Sequence, residues 1–161
     1  MPESTRMKKH LVSLASAALL ALSFSGCALA ERGYAVAPNA KHQQECGACH
    51  VAYPPGMLPA ASWQHIMGNL GKHFGTDASL DDASTREITA WLKANEGTGR
   101  RGGEEAVQNR ITKTSWFVRK HDEVSASTWK RASVGSASNC SACHADAAKG
   151  NFNEHQVRIP K

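Results

Sequence analysis

The sequence predicts a mostly α-helical protein with extensive irregular loops. No segment shows the sustained alternation of apolar and polar residues that marks a half-buried strand. Aromatic residues make up only 6% of the chain, so the predicted core is small and needs further buried mass or cross-linking. Apolar residues recur at helical spacing in two segments, first as Trp63, Ile66, Met67, Leu70 and Phe74, and then as Ile88, Trp91 and Leu92.

The N-terminal residues have the pattern of an export signal. A basic start at Lys8 and Lys9 precedes an apolar stretch over residues 11–24, which is too short for a good transmembrane span. Residues 28–30, Ala-Leu-Ala, fit a small-x-small cleavage site. We therefore expect a signal peptide over residues 1–30. Residues 1–6 would lie upstream of the true translation start. A periplasmic mature chain without a transmembrane span would follow over residues 31–161. A lipid anchor on Cys27 is the alternative, which Phe24 disfavours because Leu is usual at that position.

The first half of the mature chain, residues 31–96, contains two predicted helices. Residues 32–44 are polar and are expected to be irregular. Pro54 and Pro55 predict a turn, and we prefer this role to that of offering a carbonyl to His50. Pro59 opens a helix that runs to about Phe74 and stops at Gly75. The second helix has a capping-box pattern over residues 84–87, behind Asp81 and Asp82, and is expected to end at Gly97.

The second half, residues 104–161, is predicted to be less regular. A Gly/Arg-rich linker over residues 97–103 separates it from the first half. We expect a helix over residues 104–109, one or two helical turns within residues 114–123, a small-residue loop over residues 133–138 and an extended tail from residue 151.

Each half contains one C-x-x-C-H motif: Cys46, Cys49 and His50, and then Cys140, Cys143 and His144. Two thiols at this spacing reach the two vinyl groups on one porphyrin edge, and the imidazole of the next residue binds the iron. Two complete motifs behind an export signal predict two covalently attached haem c groups. The alternatives are a pair of disulfides with incidental histidines, or one Cys₄ zinc site.

The sixth ligand to each iron determines the function. A second His or a Met closes the iron for electron transfer, whereas an open position binds small ligands. His73 is favoured in the first half, because it falls at the edge of the apolar face of the predicted helix, whereas His65 falls almost opposite. In the second half His121 is the one histidine between the linker and the motif, and His155 is its chief rival. The remaining candidates are His42, Met57 and Met67, of which Met67 is more typical of a core residue.

The charge pattern excludes a nucleic-acid-binding protein. Residues 31–161 contain sixteen basic and thirteen acidic residues, and no run of Lys or Arg is interleaved with aromatics. A di-haem peroxidase requires a larger scaffold, and a sensor requires a signalling domain that does not follow here. A haem enzyme, or a gas or redox sensor with one open or labile haem, is nevertheless the functional alternative to an electron carrier.

Further residues around both motifs resemble the small di-haem cytochromes c of bacterial periplasms, the DHC family. The similarity covers most of the mature chain and rests on residues 45–50, 53–55, 58–59, 62–63, 73–75, 78–80, 110–112, 116–117, 120–121, 139–144, 150–152 and 157–160. The resemblance implies two bis-histidine haems with His73 and His121 as distal ligands, and an electron carrier, not an enzyme. It also implies redox partners such as a membrane b-type cytochrome or a small oxygen-binding cytochrome c.

Overall fold

The computed structural model describes residues 36–99, 102–103 and 106–161, and the predicted signal peptide lies outside these residues. Within them the α-helices are α1 (Ala40–Cys46), α2 (Ala60–Met67), α3 (Asp82–Ala94), α4 (Ser115–Lys120) and α5 (Ala126–Trp129). In the same residues, extended chain pairs only at an isolated bridge between His73 and Thr76. The predicted class, mostly α with extensive loops, is confirmed. No helix in the described part is long and apolar enough to cross a membrane.

Helix α1 corrects the prediction that residues 32–44 are irregular. Asn39 caps it, because the Asn39 side chain accepts a hydrogen bond of 2.8 Å from the main-chain N–H of His42. His42 is the one buried residue of this helix. A short polar helix with a single buried side chain has no apolar periodicity, and the sequence pattern therefore did not reveal it.

Helix α2 is shorter than predicted, because it ends at Met67 and does not continue to Phe74. Gly68 caps it, and the Asn69 side-chain amide donates to the main-chain carbonyl of His65 at 2.8 Å, which satisfies a carbonyl of the last turn. A 3₁₀ turn, Leu70–Lys72, follows. Phe74 has a left-handed φ of 48° and is 47% exposed, so its predicted place on the buried helical face is also wrong.

Helix α3 begins two residues before the predicted capping box. The Asp81 carboxylate accepts hydrogen bonds from the main-chain N–H groups of Ala83 and Ser84, each at 2.9 Å, so Asp81 is the N-cap. Asn95, and not Gly97, caps the C-terminus. The buried face is as predicted, and α3 packs against α2 in a core formed by Leu58, Trp63, Met67, Ile88, Leu92 and Ala106.

The described part of the Gly-rich linker packs against the first half and is not a free spacer. The Gly97 N–H donates to the Leu58 carbonyl at 2.9 Å. A Cβ on Gly102 would lie 2.7 Å from the main-chain oxygen of Gly56, which is too close for any side chain. Glycine is therefore required where the linker backbone crosses the turn after Pro55.

The second half is built mainly from single turns. Val107–Asn109 is a 3₁₀ turn in which Gln108 and Asn109 have positive φ, so the helix predicted over residues 104–109 is wrong in its described part. Helix α4 lies within the predicted residues 114–123, and Thr114 caps it. Helix α5 was not predicted. The remaining regular elements of the described half are 3₁₀ turns at Ile111–Lys113, Cys140–Ala142, Ala147–Lys149 and Glu154–Gln156.

Candidate functional site

The first motif places its histidine opposite His73. His50 follows α1, and His73 follows the 3₁₀ turn Leu70–Lys72. Their ring centroids are 6.2 Å apart, and the ring planes differ by 17°. The left-handed backbone at Phe74 and Gly75 turns the chain immediately after His73. His73 is therefore held by a turn. The predicted helix whose apolar face favoured His73 ends at Met67 and does not contain it.

The second motif places its histidine opposite His121. The ring centroids of His121 and His144 are 6.3 Å apart, and the ring planes differ by 73°. His121 is the C-cap of α4, stacks on Phe117 at 4.0 Å and lies 5.9 Å from Trp129. Phe152 lies 5.5 Å from the His144 ring. Aromatic side chains therefore wall this pair.

Both separations fit a single metal ion between two imidazoles. An imidazole nitrogen binds a transition metal at about 2 Å, so the ring centroids of two imidazoles on opposite sides of one ion are about 6 Å apart. Two such histidines would supply two ligands to one ion, which leaves four positions that a porphyrin would fill. Among the described residues, no group of three or more His, Cys, Asp or Glu side chains could hold a metal ion alone.

One histidine of each pair is oriented by a main-chain carbonyl. His50 Nδ1 is 2.7 Å from the Val51 carbonyl, and His121 Nδ1 is 2.8 Å from the Phe117 carbonyl. With Nδ1–H as the donor, Nε2 is left free to bind a metal. Neither proline of the turn offers the carbonyl to His50. Pro55 instead accepts a hydrogen bond of 2.7 Å from the Trp63 indole N–H.

Burial favours the neutral form of the other histidine of each pair. The pKa of His73 is lowered by burial and then by the neighbouring His50. The pKa of His144 is lowered by burial and then by His121. Because a metal ligand must be deprotonated at the binding nitrogen, a lowered imidazole pKa favours coordination at neutral pH.

All four motif thiols are free in the structure. Burial, followed by the charge of Glu45, raises the pKa of Cys46 to about 11. Burial also raises the pKa of Cys140 to about 11. A raised thiol pKa is the opposite of the lowered pKa of a catalytic redox thiol, so Cys46 and Cys140 do not have that property. Their position one turn before His50 and His144 suits covalent attachment of a porphyrin at each motif.

The other candidate ligands lie elsewhere. His42 is 2% exposed, and its ring centroid lies 4.8 Å from that of Trp91 with the planes tilted by 39°. Burial and then the neighbouring His50 lower the pKa of His42 to about 4. Its Nδ1 has no hydrogen-bond partner in the described residues. Met57 and Met67 are buried, and Met67 belongs to the core cluster, as its spacing indicated. His65 and His155 are exposed.

Tyr53 connects the two sites, a role that no local sequence pattern indicates. Its ring lies 4.8 Å from the His50 ring at 27°. Its hydroxyl donates a hydrogen bond of 2.6 Å to the carbonyl of Ser138, two residues before Cys140. Burial and then the adjacent Cys140 raise the pKa of Tyr53 to about 12, so the hydroxyl remains a donor. One side chain therefore contacts the histidine of the first motif and the chain that leads into the second.

Comparison with known proteins agrees with this geometry. The sequence profile of the dihaem cytochrome c family matches residues 42–152, which include both histidine pairs. The structure is similar to a diheme cytochrome c from Shewanella baltica OS155, with 40% identity and a TM-score of 0.67 over 78% of this chain and 95% of that one. It is also similar to a diheme cytochrome c from Rhodobacter sphaeroides, with 45% identity and a TM-score of 0.64 over 73% of this chain and 98% of that one. The search of functionally curated proteins gave no match.

Proposed function

Because this chain belongs to the dihaem cytochrome c family and carries two haem c groups, we propose that it is a periplasmic electron carrier and not an enzyme. The observation that carries the proposal is the pair of histidine separations, 6.2 Å and 6.3 Å. Haem c supplies a one-electron change between ferric and ferrous iron. An iron with both axial positions closed by histidine has no position for a substrate, which favours transfer over catalysis.

Each motif holds its haem in the same way. Cys46 and Cys49 attach one porphyrin, and Cys140 and Cys143 attach the other. His50 and His144 are the proximal ligands. His73 and His121 are the distal ligands, each from the same half of the chain as its motif. Carbonyls of Val51 and Phe117 orient one imidazole at each iron, which is the usual outer support of a metal-bound histidine.

Electrons pass through the molecule by way of both sites. The contact of Tyr53 with His50 and its hydrogen bond to Ser138 support this step, because they hold the two attachment segments next to each other. The partners are redox proteins, for which a membrane b-type cytochrome and a small oxygen-binding cytochrome c are the candidates. The signal-like pattern of residues 1–30 supports export to the periplasm.

Carbon monoxide binding tests the proposal. The reduced holoprotein should show low-spin haem spectra that carbon monoxide does not change. His73→Ala and His121→Ala should each open one haem, so that each variant binds one carbon monoxide per molecule. His65→Ala removes an exposed histidine of α2 and is the matched control, for which no binding is expected.

Binding of carbon monoxide to the unsubstituted protein would contradict the proposal. At least one iron would then be open, and a haem enzyme or a gas sensor would be the better interpretation. If the His65→Ala variant bound carbon monoxide and the His73→Ala variant did not, the distal ligand of the first haem would be wrongly assigned.

A further inference from the structure

The two halves of the chain differ in charge. Residues 31–96 contain five Lys or Arg and seven Asp or Glu, a formal charge of −2. Residues 104–161 contain nine Lys or Arg and six Asp or Glu, a formal charge of +3. Each half receives one haem of the same charge, so the difference between the halves persists in the holoprotein.

Local ion pairs do not remove the excess positive charge. Two of the six acidic residues in the second half form ion pairs with described residues, Asp146 with Lys149 at 2.7 Å and Glu154 with Lys120 at 2.8 Å. Each pair removes one charge of each sign and leaves the sum unchanged. All nine basic residues of this half are exposed. Seven of them therefore form no ion pair with a described residue, whereas Asp122 and Glu123 are the described acidic residues of this half without such a pair.

Four of these cations lie around the second motif and are held together by the C-terminal tail. We refer to Lys130, Arg131, Arg158 and Lys161 as the basic cluster. The Arg158 N–H donates to the Cys143 carbonyl at 3.0 Å, which fixes the tail on the motif. Arg131 Nη1 donates to the Pro160 carbonyl at 2.7 Å, and Ser133 Oγ donates to the Lys161 main-chain oxygen at 3.1 Å.

The fourth member of the basic cluster lies next to the distal side of the same site. Lys130 follows Trp129, whose ring is 5.9 Å from the His121 ring. No member of the cluster forms a salt bridge with a described residue. The cluster therefore combines positive charge that no described residue pairs with a main-chain contact to the second motif and, through Trp129, proximity to His121. Charge of this kind attracts a partner of the opposite sign and raises the rate of encounter.

We propose that the basic cluster is the docking surface of an acidic redox protein, and that this partner exchanges electrons with the second haem. The inference rests on the proposed electron-carrier function and names the class of partner. The first half has no equivalent excess of cations, so the same partner does not dock there. Docking of this partner is therefore confined to the second haem.

Stopped-flow reduction of the holoprotein by a plant-type ferredoxin, a small acidic donor of low potential, tests the proposal. The variant Lys130→Glu/Arg158→Glu/Lys161→Glu should lower the second-order rate constant at low salt on the order of tenfold. Arg131 is retained, because its side chain holds the tail. The difference should disappear at high salt, where the charges are screened.

The matched control reverses three exposed cations of the first half, Lys72→Glu/Arg86→Glu/Lys93→Glu, and has the same total charge. It should react at nearly the rate of the unsubstituted protein. Equal slowing of both variants would mean that only total charge matters and would overturn the docking surface. A rate for the unsubstituted protein that does not depend on salt would overturn it as well.

Anionic phosphatidylglycerol vesicles distinguish a membrane surface from a protein. If the cluster variant lost vesicle binding and kept its rate with ferredoxin, the cluster would bind lipid and the proposal would be wrong. The carbon monoxide test is independent of docking. If the spectra of both triple variants were unchanged and the rate of reduction by ferredoxin did not depend on salt, the docking surface would be refuted. The electron-carrier function would remain intact.

Discussion

The two halves of this protein hold the same motif on different scaffolds. The first half has an apolar core in which Leu58 and Ile88 are fully buried between α2 and α3. In the second half, Phe117, Val134 and Ala147 are the buried apolar residues that lie outside this core. Its short elements are capped by side chains such as Thr114 and Ser125. The described core therefore stabilises mainly the first half, and we expect the second half to depend more on its haem.

The largest difference between the two halves is expected when haem attachment is removed. Cys140→Ala/Cys143→Ala should abolish amide protection in α4 and α5, because little other apolar surface holds them. Cys46→Ala/Cys49→Ala should leave α3 protected, because α3 packs on the core cluster. Hydrogen exchange with mass spectrometry measures both. Equal loss of protection in the two halves would refute the difference in scaffold.

Truncation of a buried apolar side chain should destabilise the protein more in the first half than in the second. Ile88→Ala leaves a cavity in a fully buried site and should lower the free energy of unfolding by about 3 kcal/mol. Val134→Ala removes less apolar surface from the second half and should lower it by about 2 kcal/mol. Guanidinium unfolding, followed by tryptophan fluorescence and by the haem Soret band, gives both values. A larger loss at Val134 would contradict the account.

The pH dependence of stability tests the buried His42 of the first half. Its pKa of about 4 in the folded protein lies below the unfolded value of 6.5, so the unfolded chain binds the proton first. The stability is therefore complete above pH 6.5 and falls as the pH decreases towards 4, by up to about 3 kcal/mol. His42→Phe should flatten this part of the profile. The control is His65→Ala, for which the profile should keep its slope.

The smallest effect is expected at the contact between the halves. Tyr53→Phe keeps the ring against His50 and removes the donor to the Ser138 carbonyl, so it should lower the free energy of unfolding by about 1 kcal/mol. Internal electron transfer after pulse reduction should also slow. Tyr53→Leu removes the ring as well and should cause the larger loss in both measurements. If Tyr53→Phe changed neither quantity, the bridge would have no role.

Local patterns predicted the parts of the fold that have local causes. The C-x-x-C-H motifs are contiguous, and the periodicity of Ile88 and Leu92 identified the buried face of α3. The predicted helix α2 is too long, because the apolar spacing continues past Gly68, whereas the chain leaves the helix there. Periodicity indicates which residues would share a face if a helix formed, and does not show where the helix stops.

The relation between the sites depends on long-range contacts that no local pattern contains. Tyr53 and Ser138 are 85 residues apart, and their hydrogen bond follows from the packing of two loops. The basic cluster is also a product of the fold, because the tail brings Arg158 to Cys143. The charge difference between the halves can be counted in the sequence, but its position around the second motif cannot.

Low-temperature electron paramagnetic resonance of the oxidised holoprotein shows whether two histidines bind each iron. The imidazole planes are nearly parallel at His50 and His73, with a difference of 17°, and steeply inclined at His121 and His144, with a difference of 73°. Parallel planes split the iron d orbitals strongly, whereas perpendicular planes leave them nearly degenerate. We expect two low-spin signals in equal amounts, of which one is rhombic and the other has a large anisotropy of its g values. A high-spin signal would show that an iron lacks one of these histidines and would contradict this assignment.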